Sequence, residues 1–333
     1  FDEFMRPPFF PVRVRDLKGQ IVFHDVTDGD LAIGDAKVRV RPVPHTGATG
    51  ASLSEEAIAV AEVDPHLETF EGHRGRLFGL AYRMLGSRAE AEDVVQEAYV
   101  RWHQAAHDGI RQPEAWLVTT TTRIAIDRLR ALKTAREAYA GPWLPEPLVQ
   151  PPDQQAELAS ELSIAFLLLL ERLSPEERAA FLLHDVFDSS YADIAQVLGR
   201  SQAACRQVVH RARERVRGER RRFSATSAEK AVLLRKFTEA MQARDEAALL
   251  ALFTPDAAWT ADGGGQVPAA PRPIEGAGRI VKLVMGLYRQ RAAQGASYEH
   301  VLVNGEPGLA VRLDGRLLAT LAIDCEGGRI SAV

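Results

Sequence analysis

This sequence has little cysteine and no long apolar run. Cys205 and Cys325 are its two cysteines in 333 residues, too few for a disulfide framework or a four-ligand zinc site. The longest apolar run, Ile164 to Leu170, is much shorter than the roughly 18–20 residues that a membrane-spanning helix requires. A basic segment followed by an apolar one, typical of a signal peptide, does not occur at the start. We therefore expect a cytoplasmic protein that does not associate with membranes.

Catalytic and cofactor-binding motifs are also missing. The nine histidines lack metal-ligand spacing such as HExxH, and no GxSxG, P-loop or dinucleotide-binding pattern occurs. We therefore expect no catalytic residue, no metal and no cofactor. Hydrophobic residues make up 46% of the chain and charged residues 26%, as in folded globular proteins. With 333 residues the chain is long enough for two or three domains.

Positive charge is concentrated in one segment of an acidic chain. Residues 200–222 contain nine arginines and two glutamates, a charge of +7, whereas the whole chain carries −4. The rest of the chain therefore carries −11. A cationic segment of this kind is suited to phosphate contact, although a solvated charged helix has the same composition. Its position at the end of a helix-turn-helix pattern favours DNA binding.

Composition divides the chain into five segments. Short β-branched runs, broken by Asp-Gly and Pro, predict β-strands in the first of them. Proline is concentrated in YAGPWLPEPLVQPPDQQA, which predicts an extended linker. The segments are 1–50 (β-rich), 51–138 (helical), 139–156 (linker), 157–222 (helical) and 224–333 (mixed α+β).

The first helical segment contains three predicted helices. Apolar residues recur at helical spacing from Leu77 to Leu85, with Gly86 as a C-cap. Ser87 caps the next helix, RAEAEDVVQEAYVRWHQA, which has an apolar stripe and an acidic opposite side. The third helix begins near Pro113 and continues as AWLVTTTTRIAIDRLRAL, with arginines on its later turns. Residues 66–138 resemble region 2 of the extracytoplasmic-function (ECF) RNA polymerase sigma factors.

This resemblance implies two interaction surfaces. In that family the acidic helix docks on the clamp helices of the polymerase β′ subunit, which implies core-polymerase contacts by Glu92, Asp93, Gln96, Glu97 and Trp102. The third helix resembles the element that faces the −10 promoter DNA, which implies contacts by Thr119, Thr120, Arg123, Arg128 and Arg130. Cations on phosphates and pockets for unpaired bases suit promoter melting, and Thr119 to Thr122 could line such a pocket. The alternatives are a solvated acidic face, core packing for Trp116 and ordinary ion pairs for the arginines.

The second helical segment contains the helix-turn-helix pattern. Ser174 and Glu177 form a capping box, with Pro175 at the first helical position. A short amphipathic helix, YADIAQVL, ends at Gly199, and Ser201 caps a long arginine-rich helix. Its apolar spacing predicts four core positions, Cys205, Val209, Ala212 and Val216. Cys205 is interpreted as a small buried hydrophobe in preference to a redox sensor.

Residues 157–222 resemble sigma region 4, which reads the −35 promoter element. Long hydrogen-bonding side chains at the start of a recognition helix suit base edges in the major groove, and arginines further along suit phosphates. The residues assigned to −35 DNA are Gln202, Arg206, Gln207, His210, Arg211 and Arg213. A helix-turn-helix alone is also typical of one-component regulators, but these would not need an acidic docking helix.

The last segment predicts an α+β domain. It opens with one long helix, SAEKAVLLRKFTEAMQARDEAALLALF, and has a second helix around GAGRIVKLVMGLYRQ. GLAVRLDGRLLATLAIDCEGGRI alternates as two strands, with turns at Asp314-Gly315 and Gly327-Gly328. This pattern resembles the SnoaL-like fold, a curved sheet around a cone-shaped pocket. That fold hosts small enzymes, but no acid–base pair is evident here.

Three short motifs resemble those of an ECF sub-group with a fused SnoaL-like domain, which regulates the sigma regions in cis. They are a WLPEPL linker, a DGGG loop and an NGxPG turn, which implies regulatory contacts by Trp143, Leu144, Pro145, Glu146, Pro147, Asp262, Gly263, Gly264, Gly265, Asn304, Gly305, Pro307 and Gly308. We expect the loop and the turn to contact the linker or region 2, the alternative being turns that serve only the fold. Gln266 departs from the Lys that the family tends to have, and the resemblance implies a further C-terminal tail after Val333.

The first 50 residues do not resemble a sigma factor. They resemble an internal stretch of a metallo-β-lactamase-fold hydrolase, with His45 at a metal-ligand position. No HxHxDH motif accompanies it, and one histidine cannot build that site. We interpret this segment as foreign to the sigma fold and expect no hydrolase activity from it.

The sequence therefore predicts a multidomain protein with two all-α sigma domains and a C-terminal α+β SnoaL-like domain. The predicted function is a sigma factor that directs RNA polymerase core to promoters, regulated in cis by its last domain. Its predicted partners are polymerase core (β′ clamp helices and β) and promoter DNA, and a small ligand in the SnoaL-like pocket is left open. The alternative is a small-molecule isomerase, hydrolase or ligand-binding domain fused to a DNA-binding regulator.

Overall fold

A computed structural model describes residues 29–33, 36–40, 65–137, 141–150, 163–220, 225–264 and 269–333. The chain divides into two compact units, residues 1–72 and 73–333. In the first unit, strands β1 (Gly29–Ile33) and β2 (Ala36–Val40) pair as an antiparallel hairpin, within the segment predicted to be β-rich. The predictions for His45, Gly265, Gln266 and the remaining linker and domain ends lie outside the described residues.

Three helices follow as the sequence predicts. They are α1 (Pro65–Leu85), α2 (Arg88–His103) and α3 (Pro113–Glu137). Gly86 ends α1 with a φ of 68°, a left-handed conformation that glycine adopts without steric cost. The Ser87 hydroxyl caps α2 by accepting a hydrogen bond from the Glu90 amide. Within the described residues, no helix is both long and apolar enough to cross a bilayer.

The second helical group contains the predicted helix-turn-helix. Its helices are α4 (Ile164–Glu171), α5 (Pro175–Asp185), α6 (Tyr191–Leu198) and α7 (Gln202–Arg220). The capping box of Ser174 and Glu177 is present, and Gly199 ends α6 in the left-handed conformation. All four predicted core positions of α7 are buried, which confirms the apolar spacing of that helix.

The C-terminal part is α+β, as predicted. Its helices are α8 (Ser227–Ala243), α9 (Glu246–Ala251) and α10 (Ala277–Ala293). Its strands are β4 (Phe253–Trp259), β5 (Ile274–Glu275), β6 (Ser297–Val303), β7 (Glu306–Leu313), β8 (Arg316–Ala322), β9 (Asp324–Glu326) and β10 (Arg329–Ala332). One sheet has the order β5-β4-β10-β9. The other has the order β3-β6-β7-β8, and its first strand, β3 (Val149–Gln150), comes from the linker.

An apolar core lies between these helices and strands. Phe237 of α8, Ile280 of α10 and Phe253 of β4 are among its buried side chains. A smaller cluster of Val301, Val303 and Ala310 is covered by Val149 and Ile164, residues of β3 and α4. The linker and the second helical group therefore pack directly on the C-terminal sheet.

The structure of this part differs from the prediction at three places. The single long helix is two helices, because Arg244 adopts a left-handed φ of 57° and Asp245 caps a new helix by accepting from the Ala248 amide. The segment after it was not predicted as a strand, yet it forms β4. The predicted pair of strands is joined by a further strand, β6, which was not predicted.

The NGEPG segment is not one turn. Asn304 and Gly305 both have positive φ, 53° and 77°, and join β6 to β7 as the two central residues of a tight hairpin. Pro307 and Gly308 belong to strand β7, where they pair with Leu302 and Val301. Only the Asn304-Gly305 part therefore has turn geometry.

Gly308 is a position where a side chain does not fit. A Cβ there would lie 2.4 Å from Cγ2 of Val303 and 2.9 Å from the carbonyl oxygen of Leu321. Gly308→Ala is expected to lower the free energy of unfolding by about 1–3 kcal/mol, because β6 and β8 must move apart. Urea denaturation measures this change.

Gly286→Ala is the matched control for that substitution. Gly286 lies within α10 with nothing within 4 Å of its added Cβ, so alanine should stabilise the helix by about 0.5–1 kcal/mol. Equal effects of the two substitutions would contradict the steric explanation.

Candidate nucleic-acid interface and linker contacts

The exposed side of α2 is acidic. Glu92, Asp93, Gln96 and Glu97 are all exposed there, as the apolar stripe predicted. Two of these carboxylates form ion pairs along the helix: Arg88 Nε lies 2.8 Å from Glu92, and Arg101 Nη2 lies 2.5 Å from Glu97. Such exposed pairs contribute little to stability, so this face remains available to a cationic partner.

Trp102 does not belong to that face. Its side chain is 2% exposed and packs against Trp116 at 5.5 Å and against His107 at 4.3 Å between ring centroids. Trp102 sits on the buried side of α2 because it continues the stripe of Val94, Val95 and Ala98. The assignment of Trp102 to direct polymerase contact was therefore wrong, and its position is that of a core residue.

The threonine run of α3 is divided between surface and interior. Thr119 and Thr120 are partly exposed, whereas Thr121 and Thr122 are fully buried. Thr122 donates its hydroxyl proton to the carbonyl of Val118, one turn earlier. A base pocket lined by all four threonines is therefore excluded in this conformation, and only the first two can face DNA.

All three arginines assigned to −10 DNA are held by protein groups. Arg128 forms an ion pair with Glu90 of α2. Arg123 donates to the carbonyl oxygens of Gln196 and Val197, at 2.6 and 3.3 Å. These arginines lie on the exposed side of α3 but are already engaged.

Arg130 binds two carboxylates. Its Nη2 lies 2.5 Å from Glu176 of α5, and its Nη1 lies 3.0 Å from Asp127. The hydrogen bond from Arg130 lowers the pKa of Glu176 below its usual value. Glu176 is therefore ionised at neutral pH, and the pair is a true salt bridge.

Most of the residues of α7 that were assigned to −35 DNA are exposed, in contrast to the paired arginines of α3. Gln202, Arg206, Gln207, His210 and Arg211 are all exposed. The guanidinium of Arg206 lies over the ring of Tyr191, 5.1 Å from its centroid. Arg213 instead pairs with Asp185 of α5 at 2.5 Å and contacts His184.

Cys205 lies on the opposite, buried side of α7. Burial raises the pKa of its thiol, so the reactive thiolate form is disfavoured. This supports its interpretation as a packing residue.

The linker is hydrogen-bonded on both sides. The backbone amide of Leu144 donates to Asp262 Oδ2 at 2.8 Å, and the other carboxylate oxygen of Asp262 accepts from the Gly264 amide. Gly264, which has a φ of 59°, allows this tight turn, and Gly263 lies between the two. Trp143 and Pro147 are half-buried, and Pro145 is buried beside Gly86.

Asn304 is the central residue of the second linker contact. It is 1% exposed, its amide oxygen accepts from the Leu148 amide at 2.9 Å, and its own backbone amide donates to the Leu148 carbonyl. Its side-chain nitrogen donates to the hydroxyl of Tyr82 on α1 at 2.7 Å. Asn304 therefore joins the hairpin, the linker and the first helical group.

Tyr82 and Glu146 complete this contact. The Tyr82 hydroxyl donates to the Glu146 carbonyl at 2.5 Å, and burial raises the pKa of Tyr82 to about 12, so it remains a donor at neutral pH. The Glu146 carboxylate accepts from the Ser87 hydroxyl and the Arg88 amide, at 3.0 and 2.8 Å. A carboxylate at this N-terminal end of α2 is favoured by the helix dipole.

Sequence reasoning missed Tyr82, Glu176 and Phe187, whose contacts join distant segments. A tyrosine on the otherwise apolar face of α1 was the available signal for Tyr82, because a buried hydroxyl needs a partner. The other two carried no local signal.

One further feature bears on the expected ligand pocket. A groove of about 620 Å³ opens to solvent at the start of α10, and its lining includes Asp256, Glu275, Arg279 and Lys282. A groove with charged walls differs from the enclosed, mainly apolar pocket typical of small-molecule sites. Ligand binding by this part stays a prediction.

Two segments of the chain match models of known protein families. Residues 69–134 match Sigma-70 region 2, and residues 163–216 match Sigma-70, region 4. The chain is 40% identical over 248 residues to the ECF RNA polymerase sigma factor SigJ of Mycobacterium tuberculosis, covering 72% of this chain and 78% of the relative. It is 31% identical over 280 residues to the probable ECF RNA polymerase sigma factor SigI of the same species, covering 82% and 93%.

A solved structure extends the likeness to the fold. The crystal structure of Mycobacterium tuberculosis SigJ superposes with a TM-score of 0.64 at 35% identity, covering 80% of this chain and 94% of that one.

The helix-turn-helix with its exposed cationic recognition face defines a DNA-binding protein that acts in transcription. Both sigma regions occur in it, in the predicted order and on either side of the linker. The chain belongs to the ECF RNA polymerase sigma factor family and acts in transcription initiation. The alternative of a small-molecule enzyme or ligand-binding domain fused to a regulator is not favoured, because the matched relatives are sigma factors.

Proposed function

We propose that this sigma factor brings RNA polymerase core to promoters through three separate surfaces. The exposed acidic face of α2 binds the clamp helices of β′, α7 reads the −35 element, and α3 contacts the −10 element. The observation that carries the proposal is that an acidic face and a cationic recognition face are both exposed, on different helical groups. Separate modules of opposite charge suit simultaneous binding of a protein and of DNA.

The acidic surface is proposed for polymerase because of its chemistry. Glu92, Asp93, Gln96 and Glu97 form a continuous row at helical spacing, which is complementary to a cationic helical partner. Trp102 packs in the core on the opposite side of α2 and so holds the helix in place. The family resemblance implies that the sigma factor also contacts the β subunit, and we include this contact in the proposal.

For DNA, α7 and α3 have different proposed roles. Gln202, Arg206, Gln207 and His210 lie on the exposed face near the N-terminus of α7, where major-groove base edges are read. Arg211 and Arg213 follow on later turns and suit phosphates. On α3, Thr119 and Thr120 suit the unpaired −10 bases, and Arg123, Arg128 and Arg130 suit their phosphates.

We further propose that the C-terminal part is a SnoaL-like domain that regulates the sigma regions in cis. The support is the linker, which is bound by Asp262 and Asn304 of this domain while Glu146 and Tyr82 connect it to α1 and α2. Because Glu146 caps the polymerase-binding helix, release of the linker would alter that helix first. The domain would thus act on the sigma regions through the linker, and a ligand in its pocket would be one possible signal.

In vitro transcription tests the initiation function. Purified protein is added to core polymerase with sheared genomic DNA of its host as template, and transcript 5′ ends are sequenced. We expect a set of start sites that core polymerase alone does not use and that share a −35 and a −10 element. DNA binding without any new start site would contradict the proposal. It would favour the alternative, a ligand-binding domain fused to a DNA-binding regulator.

A substitution in the recognition helix provides the internal control. Gln207→Ala should change or abolish the −35 consensus while core binding remains unchanged, because Gln207 lies on the exposed DNA face and not on α2. A mutant that loses core binding together with the consensus would indicate misfolding rather than loss of readout.

A further inference from the structure

Arg206 of the recognition helix is held by an aromatic ring. Its guanidinium carbon lies 5.1 Å from the centroid of the Tyr191 ring, which makes a cation–π contact. Its side chain forms no hydrogen bond or ion pair with the residues that the structure describes. Arg123 and Arg130 differ, since they donate to carbonyls and carboxylates of the protein. A cation–π contact uses no hydrogen-bond acceptor, so the N–H donors of Arg206 remain available to a base.

The start of α6 fixes the position of Tyr191. Tyr191 is the first residue of that helix and directly follows the N-cap, Ser190. The Ser190 hydroxyl accepts from the Asp193 amide, and the Asp193 carboxylate accepts from the Ser190 amide at 3.1 Å, which completes a capping box. Because the box fixes the backbone of the first turn, it also fixes the point at which the half-buried Tyr191 ring leaves α6.

A second side chain supports the Tyr191 ring from α5. The ring of His184 lies 4.5 Å from it between centroids. His184 Nδ1 lies 3.0 Å from Nη2 of Arg213, and because arginine is only a donor, Nδ1 is the acceptor. Nε of Arg213 lies 2.9 Å from both carboxylate oxygens of Asp185. An unbroken series of contacts therefore connects α5 to the guanidinium of Arg206.

Both ends of this series lie on α7. Arg206 is near the start of the helix, and Arg213 follows about two turns later. A long arginine side chain loses much of its rotamer freedom when it binds a base. A contact that orders the side chain beforehand reduces this loss and so favours binding in one orientation.

We propose that Tyr191 is a positioning residue for −35 recognition, whose ring holds Arg206 in the orientation in which it reads a base edge. The proposal rests on the assignment of α7 to the −35 element, and it adds a residue that lies outside the recognition helix. Arginine pairs best with O6 and N7 of guanine in the major groove, so the base is a guanine. Because Tyr191 acts through Arg206, its loss weakens the choice of base at one position of the element.

Transcription from a promoter library tests this role. The −35 element of one promoter used by the wild-type holoenzyme is randomised, each template carries a barcode, and the transcripts are sequenced. Arg206→Ala should reduce the preference for guanine at one −35 position about tenfold. Tyr191→Leu should reduce it at the same position about two- to fivefold, the factor expected from loss of a partly exposed cation–π contact.

Two further variants separate positioning from a direct DNA contact. Tyr191→Phe keeps the ring and should keep the wild-type base preference. If the Tyr191 hydroxyl instead bound a phosphate, Tyr191→Phe would be as defective as Tyr191→Leu, at all −35 sequences equally. The double variant Tyr191→Leu/Arg206→Ala should match Arg206→Ala alone, because the ring acts only through the arginine.

Tyr288→Leu is the matched control. It removes another half-buried tyrosine ring, which lies 5.4 Å from the ring of Tyr298 in the C-terminal part, and it should leave the base preference unchanged. A change equal to that of Tyr191→Leu would show that the effect is not specific to the recognition helix.

Several results would overturn the positioning role. They are an unchanged preference in Arg206→Ala or Tyr191→Leu, a loss spread evenly over the −35 positions, and additive effects in the double variant. A defective Tyr191→Phe would overturn it whether or not the leucine variant folds. If the wild-type holoenzyme initiates at no promoter, the sigma function itself fails, so the two failures are distinguishable.

Discussion

Reversing the charges of Asp93 and Glu97 together (D93K/E97K) is expected to weaken binding of RNA polymerase core at least about 100-fold. Both carboxylates are exposed on the acidic face of α2, so lysines there would meet a cationic partner surface with like charge. The fold should survive, because the interactions lost are an exposed pair of Glu97 with Arg101 and a 3.9 Å approach of Asp93 to Arg128. Biolayer interferometry with immobilised core measures the affinity.

Two further variants make this result specific. E239K/E326K reverses two exposed acids of the C-terminal domain and should bind core as wild type does. D93N/E97Q removes charge without reversing it and should lie between the two. Core affinity of D93K/E97K within about threefold of wild type, with duplex DNA binding intact, would show that the docking surface lies elsewhere.

Removing the side chain of Asn304 should release the linker. Asn304→Gly leaves the Leu148 amide without its acceptor and removes the donor to the Tyr82 hydroxyl, which keeps its hydrogen bond to the Glu146 carbonyl. The free energy of unfolding is expected to fall by about 1–3 kcal/mol. Asn304→Ala should cost about 1 kcal/mol more, because alanine is disfavoured at a φ of 53°. Urea denaturation gives the stabilities, and hydrogen exchange of the Leu144 and Leu148 amides reports linker release.

The second hairpin of the same sheet provides the control. Asp314 and Gly315 also both have positive φ, and Asp314 is exposed, so Asp314→Gly makes the same backbone change away from the linker. Its effect should stay within about 0.5 kcal/mol. A double-mutant cycle of Asn304→Gly with Tyr82→Phe should show non-additivity, since each removes one partner of the same hydrogen bond. Additive effects would mean that the two residues do not act together.

Local signals allowed most of the helical architecture to be predicted. Gly86, the capping box at Ser174 and Gly199 all mark helix ends by interactions within a few residues, and all three occur as expected. Arg244 ends a helix in a conformation that arginine rarely adopts, and the sequence prediction overlooked Asp245, whose N-cap role was the local signal of that break. The strand β4 was missed because its pairing with β10 outweighs the presence of Pro255.

Some features of the candidate sites also follow from local sequence patterns, and others do not. The acidic face of α2 and the exposed face of α7 follow from helical periodicity, since residues three and four apart share one side. The same periodicity should have excluded Trp102 from the polymerase surface, because it continues the buried stripe. The contacts of Asp262 and Asn304 with the linker agree with the expectation from their motifs, whereas their regulatory role stays a prediction.

The family and the order of the sigma regions were predicted from the resemblance of local motifs to those of a known family. The buried and exposed sides of the helices follow from residue types at short spacings. Only the tertiary structure decided what the arginines proposed for −10 DNA bind and how Tyr82 meets Asn304, 222 positions away. The partners of Arg123 are backbone carbonyls about 73 positions further along the chain. Every residue has a backbone carbonyl, so the residue types at those positions do not indicate this contact. Pairings of that kind arise when separately specified helices pack together, and they become visible only in the folded chain.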